Sequence, residues 1–335
     1  MSDFVHLHLH SEYSMLDGLV KIPNLVEKVK EQGQDAVALT DHGNMYGTIE
    51  FHNTCRKHGI NPIIGCELYM AKESRHRKQR RSGEDQNHIT LLAENFTGYQ
   101  NLMKMVTIAN FEGFSYKPRI DEEVLFKHAE GVIMLTGCMN GRVPQLVLSD
   151  KLRQAEEKLK KYKQVFNDRL FIELQNQFLD EQQKLNQALI KLSRKLDIPV
   201  VATNDVHYLN HDEAEAQDAL LAVGTRKLIR DENRISMIDT PEYYFKSAQE
   251  MKNLFADIPE AIENTVKIAE RCEVKIPTGQ LIFPNFPIPE GETDASHLRN
   301  MALKGLKKKF GEITPKIKDR MDYELNIIHQ KGYDT

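Results

Sequence analysis

Near its start the chain reads Val5-His6-Leu7-His8-Leu9-His10, and a carboxylate follows at Asp17. Alternating His and Leu is a strand pattern of period two, with imidazoles on one face and leucines on the other. His8 and His10 are then about 7 Å apart along the strand, near enough for both rings to reach one ion. Imidazole is the commonest nitrogen ligand of zinc and similar metals. More ligand types recur downstream, mostly where apolar runs end. They are His42 in Thr40-Asp41-His42-Gly43, Glu67 in Gly65-Cys66-Glu67 and Cys138 in Leu135-Thr136-Gly137-Cys138. Asp205 and His207 follow in Thr203-Asn204-Asp205-Val206-His207, and His88 opens an apolar run instead of closing one.

Each of these residues alone has a plainer reading: a packed core histidine, or a small buried cysteine. Their coincidence at so many strand-linked positions favours a metal site. His8, His10, Asp17, His42, Glu67, His88, Cys138, Asp205 and His207 are nine candidate ligands, too many for one ion. With one carboxylate bridging they could hold three. Imidazole, carboxylate and thiolate suit zinc, and the His and carboxylate mixture also admits manganese or iron. Two neighbours are left out of the set. Asp41 is expected to be a helix N-cap, and His6 to share the face of His8 one pleat deeper, inside a barrel.

Apolar runs alternating with amphipathic stretches must position these residues. Strands are predicted at Phe4 to His10, Ala36 to Thr40, Pro62 to Met70, His88 to Ala93, Gly131 to Thr136, Leu170 to Leu174 and Pro199 to Thr203. Helices are predicted at Lys151 to Phe166 and Asp180 to Leu196, where apolar residues recur at helical spacing. Strands alternating with helices suggest a parallel sheet, and in a closed barrel the site lies at the strands' C-terminal ends. After about Ile235 the pattern changes. Met251 to Cys272 reads as helical with a break at Ile258-Pro259, and Phe283 to Pro289 as an extended Pro-rich connector. Helices follow at His297 to Phe310, with the basic run Lys307-Lys308-Lys309, and at Ile317 to Gln330. The chain then stops without a closing element, as a cut fragment would.

Bulk properties exclude several classes. The 335 residues carry a net charge of −4, so no global positive field draws in nucleic acid. Cys55, Cys66, Cys138 and Cys272 form no CxxC pair, which argues against a zinc ribbon and a secreted disulfide scaffold. No signal peptide, membrane-length apolar run, GxGxxG, Walker loop or GxSxG element is legible. A soluble, cytoplasmic protein is expected. Local nucleic-acid contacts have two candidates. One is the stretch Lys72 to Arg81, with Arg75 and Arg77, which reads as a solvated loop or a phosphate-contacting one. The other is Lys117-Pro118-Arg119 after Phe111, Phe114 and Tyr116, a surface turn or a place where bases stack while cations hold phosphate.

The motifs His8-Leu9-His10-Ser11, Leu16-Asp17-Gly18, Thr40-Asp41-His42-Gly43, Gly65-Cys66-Glu67 and Asn204-Asp205-Val206-His207 resemble those of the PHP (polymerase and histidinol phosphatase) superfamily. More closely, the whole chain resembles the N-terminal part of bacterial replicative DNA polymerase III alpha subunits. Phe96 to Leu102 and Lys117 to Ile120 add to that likeness. No exonuclease domain interrupts the motifs, as in the DnaE type. The resemblance implies a distorted seven-stranded (β/α) TIM-like barrel over residues 1–275, a connector over 276–292 and the helical start of the polymerase region over 293–335. It implies three divalent ions, zinc before manganese or iron. His8, His10, Glu67 and Asp205 would hold one. Glu67 would bridge to a second, held also by His88 and Cys138, and Asp17, His42 and His207 would hold the third. Glu67, Asp205 and His207 would carry the catalysis.

The implied reaction is phosphodiester hydrolysis at a primer 3′ end, a proofreading 3′ to 5′ exonuclease step. Implied partners are DNA, the rest of the polymerase polypeptide, a proofreading exonuclease subunit and the sliding clamp, with no membrane. Asp322 to Gly332 resembles the approach to a palm domain whose carboxylates are absent, so this chain should not polymerise DNA. Two rivals stand beside this reading: a small-molecule phosphomonoesterase of the histidinol phosphatase type, and a metal-stapled scaffold that docks the polymerase core and the proofreading subunit.

Overall fold

The computed structural model describes residues 3–78, 87–279 and 286–334. Arg80 and Arg81 of the basic stretch and Phe283-Pro284-Asn285 of the Pro-rich stretch lie outside them. The chain divides into two compact units, Met1–Ile276 and Pro277–Thr335.

The first unit is built on a curled α/β sheet with seven strands among the described residues. They are β1 (Ala36–Leu39), β2 (Asn61–Met70), β3 (Asn87–Ala93), β4 (Arg119–Ile120), β5 (Val132–Leu135), β6 (Leu170–Leu174) and β7 (Val200–Ala202). The order is β1-β2-β3-β5-β6-β7, with β4 paired to β2 off the main path. Nearly all strand residues are buried, as expected of a sheet covered by helices. The covering helices are amphipathic. Leu152–Phe166 buries Ala155, Leu159, Tyr162 and Phe166. Asp180–Leu196 buries Leu185, Leu189 and Leu192, each a helical turn from the next.

Two expectations about the sheet are corrected. The sheet is mixed, not parallel: β3 runs antiparallel to both β2 and β5. β2 and β3 pair as neighbouring antiparallel strands, Met70 opposite Asn87, rather than as parallel strands. The start of β3 therefore lies beside the ends of its neighbours, with His88 paired to Tyr69. This is why His88 opens its run while the other candidates close theirs.

The second correction concerns Phe4 to His10, which is extended but not a regular strand. It nevertheless spans the gap between the sheet's two ends. His6 O and Leu9 O accept from Ala38 N and Thr40 N beside β1. On the other side, His10 N donates to Val206 O and Val206 N to His8 O, just after β7. Ala38 and Thr40 are two residues apart, but their acceptors are three apart, so the pairing slips by one residue. The slip reverses which side chains face inward. Val5 and Leu7 pack with Ala36, Ala38, Ile63, Leu92, Ile133 and Val201 of the barrel interior. Leu9 packs instead with Val37, Leu39 and Phe51 in the outer layer. His8 and His10 then turn inward above Leu7, while His6 turns outward. Its Nε2 lies 2.8 Å from Lys246 O, and its ring packs on Phe4 and Phe245. His6 is thus not on the face of His8.

The second unit contains helices Asp294–Phe310 and Pro315–Gln330, N-capped by the side chains of Thr293 and Thr314. Lys307, Lys308 and Lys309 occupy the last turn of the first, where cations suit the helix dipole. Among the described residues no helix is long and apolar enough to cross a membrane.

Candidate metal centre

The barrel mouth gathers imidazoles and carboxylates into three adjoining groups. In the first, His8 Nε2 and His10 Nε2 are 3.1 Å apart. Asp205 Oδ1 lies 3.3 Å from one and 3.2 Å from the other, and Glu67 Oε1 is 3.4 Å from His8 Nε2. In the second, the two Glu67 oxygens diverge, Oε1 lying 2.9 Å from His88 Nδ1 and Oε2 2.5 Å from His42 Nδ1. Cys138 Sγ is 3.6 Å from His88 Nδ1 and 3.9 Å from Glu67 Oε1. In the third, Asp17 Oδ2 is 2.9 Å from His42 Nε2, and Asp17 Oδ1 is 3.9 Å from His207 Nε2. Among the described residues, three triads have ligand atoms all within 4.8 Å of one another: His8-His10-Glu67, His42-Glu67-His88 and His10-His42-His207. The last puts His10 with His42 and His207, so His10 borders two groups. The floor, at His8, His10 and Glu67, is buried, and the mouth opens toward Asp17, with its side chain 31% exposed.

Outer partners decide which nitrogen each histidine offers. His8 Nδ1–H donates to Glu173 Oε1 at 2.6 Å. Glu173 also accepts from Thr203 Oγ1, Gln175 Nε2 and Gly137 N. His10 Nδ1 lies 3.2 Å from Ser14 Oγ, which donates to Asp41 Oδ1. His207 Nδ1–H donates to Asp205 O at 2.7 Å. All three rings therefore turn Nε2 inward, an arrangement that fixes tautomer and aim in metal-binding histidines. Glu173 was missed in the sequence, although a carboxylate inside the apolar run Phe171 to Leu174 is a legible signal. Asp41 is corrected: it caps no helix, and instead accepts from Ser11 N, Ser11 Oγ and Ser14 Oγ.

The electrostatics favour positive charge at this point. Burial would push the His8 imidazolium down, but Asp205, Glu173 and Glu67 outweigh it and hold its pKa well above the ordinary value. For His42, burial is likewise overcome, by Glu67 and Asp17, and its pKa rises to about 10. His10 shows the opposite balance: burial and the neighbouring His42 and His207 push it down to about 3. Burial favours neutral Glu67 and Asp205, yet the surrounding histidines hold both carboxyls well below the usual range. The Cys138 thiol is pushed up by burial and by Glu67 and Asp205. Three buried atoms here, Glu67 Oε2, His42 Nδ1 and Asp205 Oδ1, have no hydrogen-bond partner although other polar atoms crowd them. Buried donor atoms crowded together without well-formed hydrogen bonds suit divalent cations, and the nitrogen, oxygen and sulfur set fits zinc, manganese or iron.

Left-handed backbone occurs at one ligand and at several bulky loop residues. Asp205 has φ +53°, and the bulky residues Leu16, Tyr116 and Phe178 lie at φ +62°, +62° and +60°. Left-handed backbone costs roughly 1–2 kcal/mol for residues with a Cβ.

The candidate nucleic-acid contacts separate. Lys117 is exposed, and its Nζ lies 5.4 Å over the Tyr69 ring, which packs against His42 and His88. Arg119 is corrected as a phosphate contact. It is 0% exposed and donates to Gly113 O, Arg75 O and Arg77 O, so its charge organises backbone. Arg75 pairs with Glu112, Asp121 and Glu123, and Arg77 with Glu73.

Residues 6–177 match the PHP domain family. The chain is 44% identical to the DNA polymerase III subunit alpha of Borreliella burgdorferi over 336 residues, covering 99% of this chain and 29% of that protein. It is 46% identical to the same subunit of Treponema pallidum over 328 residues, covering 97% and 28%. The chain thus spans less than a third of the length of these relatives. A solved structure of a two-domain protein from Bacteroides vulgatus, containing a predicted PHP-like metal-dependent phosphoesterase, is similar with a TM-score of 0.39 and 18% identity, over 61% of this chain and 52% of that one.

Proposed function

The chain belongs to the PHP domain family, and from that premise we propose that it is a metal-dependent phosphodiesterase acting as a 3′ to 5′ exonuclease on DNA within a replicative polymerase alpha subunit. The observation that carries this reading is the convergence of His8, His10, His42, Glu67, His88 and Asp205 around unpartnered buried lone pairs. Divalent ions held there, zinc first and manganese or iron next, would supply hydroxide near neutral pH and neutralise charge on the displaced oxygen.

The side chains have separable tasks. Glu67 reaches two groups with its two oxygens, and Asp205 reaches His8 and His10 with one. Asp17, His42 and His207 line the open side. Glu173 and Ser14 hold the floor histidines in place. Lys117, exposed with its Nζ 5.4 Å over the Tyr69 ring, offers a cation to a strand phosphate beside the mouth. In the reaction a water oxygen bonds to phosphorus and the P–O3′ bond breaks. One water proton ends on the released 3′ oxygen, and the terminal residue leaves as a 5′-monophosphate.

A labelled primer with a 3′ mismatch tests the reading. Metal-loaded wild type should shorten it, and Asp205→Asn and His8→Ala should abolish shortening. Equal activity in all three would overturn the assignment. Chelation that lowers the melting temperature, with no nuclease activity at any metal loading, would favour the scaffold. Faster turnover of a small phosphomonoester than of a DNA 3′ end would favour the histidinol phosphatase type.

A further inference from the structure

Eight non-glycine residues among those described adopt left-handed backbone. Asp150, Asn167 and Asp197 are of the types that tolerate it, and Asp205 belongs to the metal groups. Leu16, Tyr116, Phe178 and Arg226 are not such types; of these, Leu16 and Phe178 lie in loops bonded to the segment that carries Asp205 and His207, and they are 50% and 56% exposed.

Their loops are fastened to the two ends of one ligand segment. Leu16 precedes Asp17, and in its loop Leu19 N donates to His207 O at 2.8 Å. Asp17 N and Gly18 N both donate to Ser14 O, and Gln217 Nε2 donates to Asp17 O. Phe178 follows Gln177, whose Nε2 donates to Asn204 O at 3.2 Å. Gln177 N donates to Gln182 Oε1 at 2.7 Å, and Phe178 N to Asn176 Oδ1 at 3.1 Å. Two half-exposed apolar side chains are thus carried on left-handed, well-bonded backbone, in loops bonded to Asn204 and to His207. Strain that the surroundings over-determine, at a reactive site, points to a ligand-facing role.

We propose that Phe178 stacks on the terminal nucleobase of the substrate strand, with Leu16 bordering the same base from the Asp17 side. This rests on the phosphodiesterase reading and deepens it. A ring offers sequence-tolerant stacking to any base with a free face. A mismatched 3′ base leaves its stack more cheaply than a paired one, so the platform selects frayed ends.

The test uses the 335-residue chain and single strands that differ only in carrying a 3′ base or a 3′ abasic residue. Wild type with zinc should prefer the base-bearing end about tenfold, the loss falling on KM. Phe178→Ala should erase the preference, and Phe178→Tyr should restore it. Melting temperature reports whether each variant folds, with Phe178→Leu as a second ring-less variant. Independently of turnover, 3′-terminal 2-aminopurine fluorescence should be quenched on binding by wild type and Phe178→Tyr but not by Phe178→Ala. Quenching that needs Phe178, in protein that hydrolyses nothing, keeps the platform and overturns the hydrolase reading. Hydrolysis with an unchanged preference in Phe178→Ala overturns the platform alone. Absence of quenching by wild type overturns it as well.

Discussion

Glu173 makes the case at the scale of the residue. It is buried and sets His8 by accepting from Nδ1, and three further donors hold it in place. Removing its charge should loosen the ring and weaken its basicity. Glu173→Gln is expected to lower zinc affinity by roughly 10–100-fold, read by competition with a chromophoric chelator while circular dichroism stays unchanged. Equal affinity would show that His8 needs no outer carboxylate. Legibility at this scale follows how much a residue's neighbours betray. His8, His10, Asp205 and His207 announce themselves because polar ligands at the ends of apolar runs are conspicuous. Arg119 does not: the carbonyls of Gly113, Arg75 and Arg77 that take its donors have no side-chain signature.

At the scale of the element, periodicity is a local property and direction is not. The helix Asp180–Leu196 is readable because its leucines repeat within a few turns. The antiparallel course of β3 depends on how the link after Met70 returns, which no residue pattern states. The one-residue slip beside β1 is equally hidden, because His-Leu alternation continues through it. The slip makes a prediction. His6 faces Phe4, Phe245 and Lys246 O, so His6→Leu should leave metal stoichiometry unchanged. It should cost about 1–3 kcal/mol through the carbonyl left without a donor, measured by urea unfolding. Burial first, and the nearby Lys246 charge, push the His6 pKa down to about 4, against 6.5 when unfolded. The unfolded chain therefore binds more protons in that window, and wild type loses stability as pH falls through it. His6→Leu lacks this loss, so the stability gap should narrow between pH 6.5 and 4. A gap that widens, or lost metal, would put His6 on the inner face.

At the scale of the molecule, ions bound to the folded mouth and not to the open chain add stability by mass action. With free metal at a thousand times its dissociation constant the gain is about 4 kcal/mol per independent site. Chelation should therefore lower the melting temperature of the whole chain, and by the same amount that of a chain ending at Ile276, since every candidate ligand lies in the first unit. Unequal shifts measured by calorimetry would mean that residues beyond Ile276 take part in holding metal.

The segment that spans the sheet's two ends sets a timetable for synthesis. In the order of synthesis His8 and His10 precede their partners Asp205 and His207 by about 200 residues. At about 5–20 residues per second, the two imidazoles wait on the order of 10–40 s beyond the ribosome before their site can close. During that interval a free metal ion meets only a short, flexible His-Leu-His ribbon, and any cellular factor that shields nascent histidines has its opportunity there.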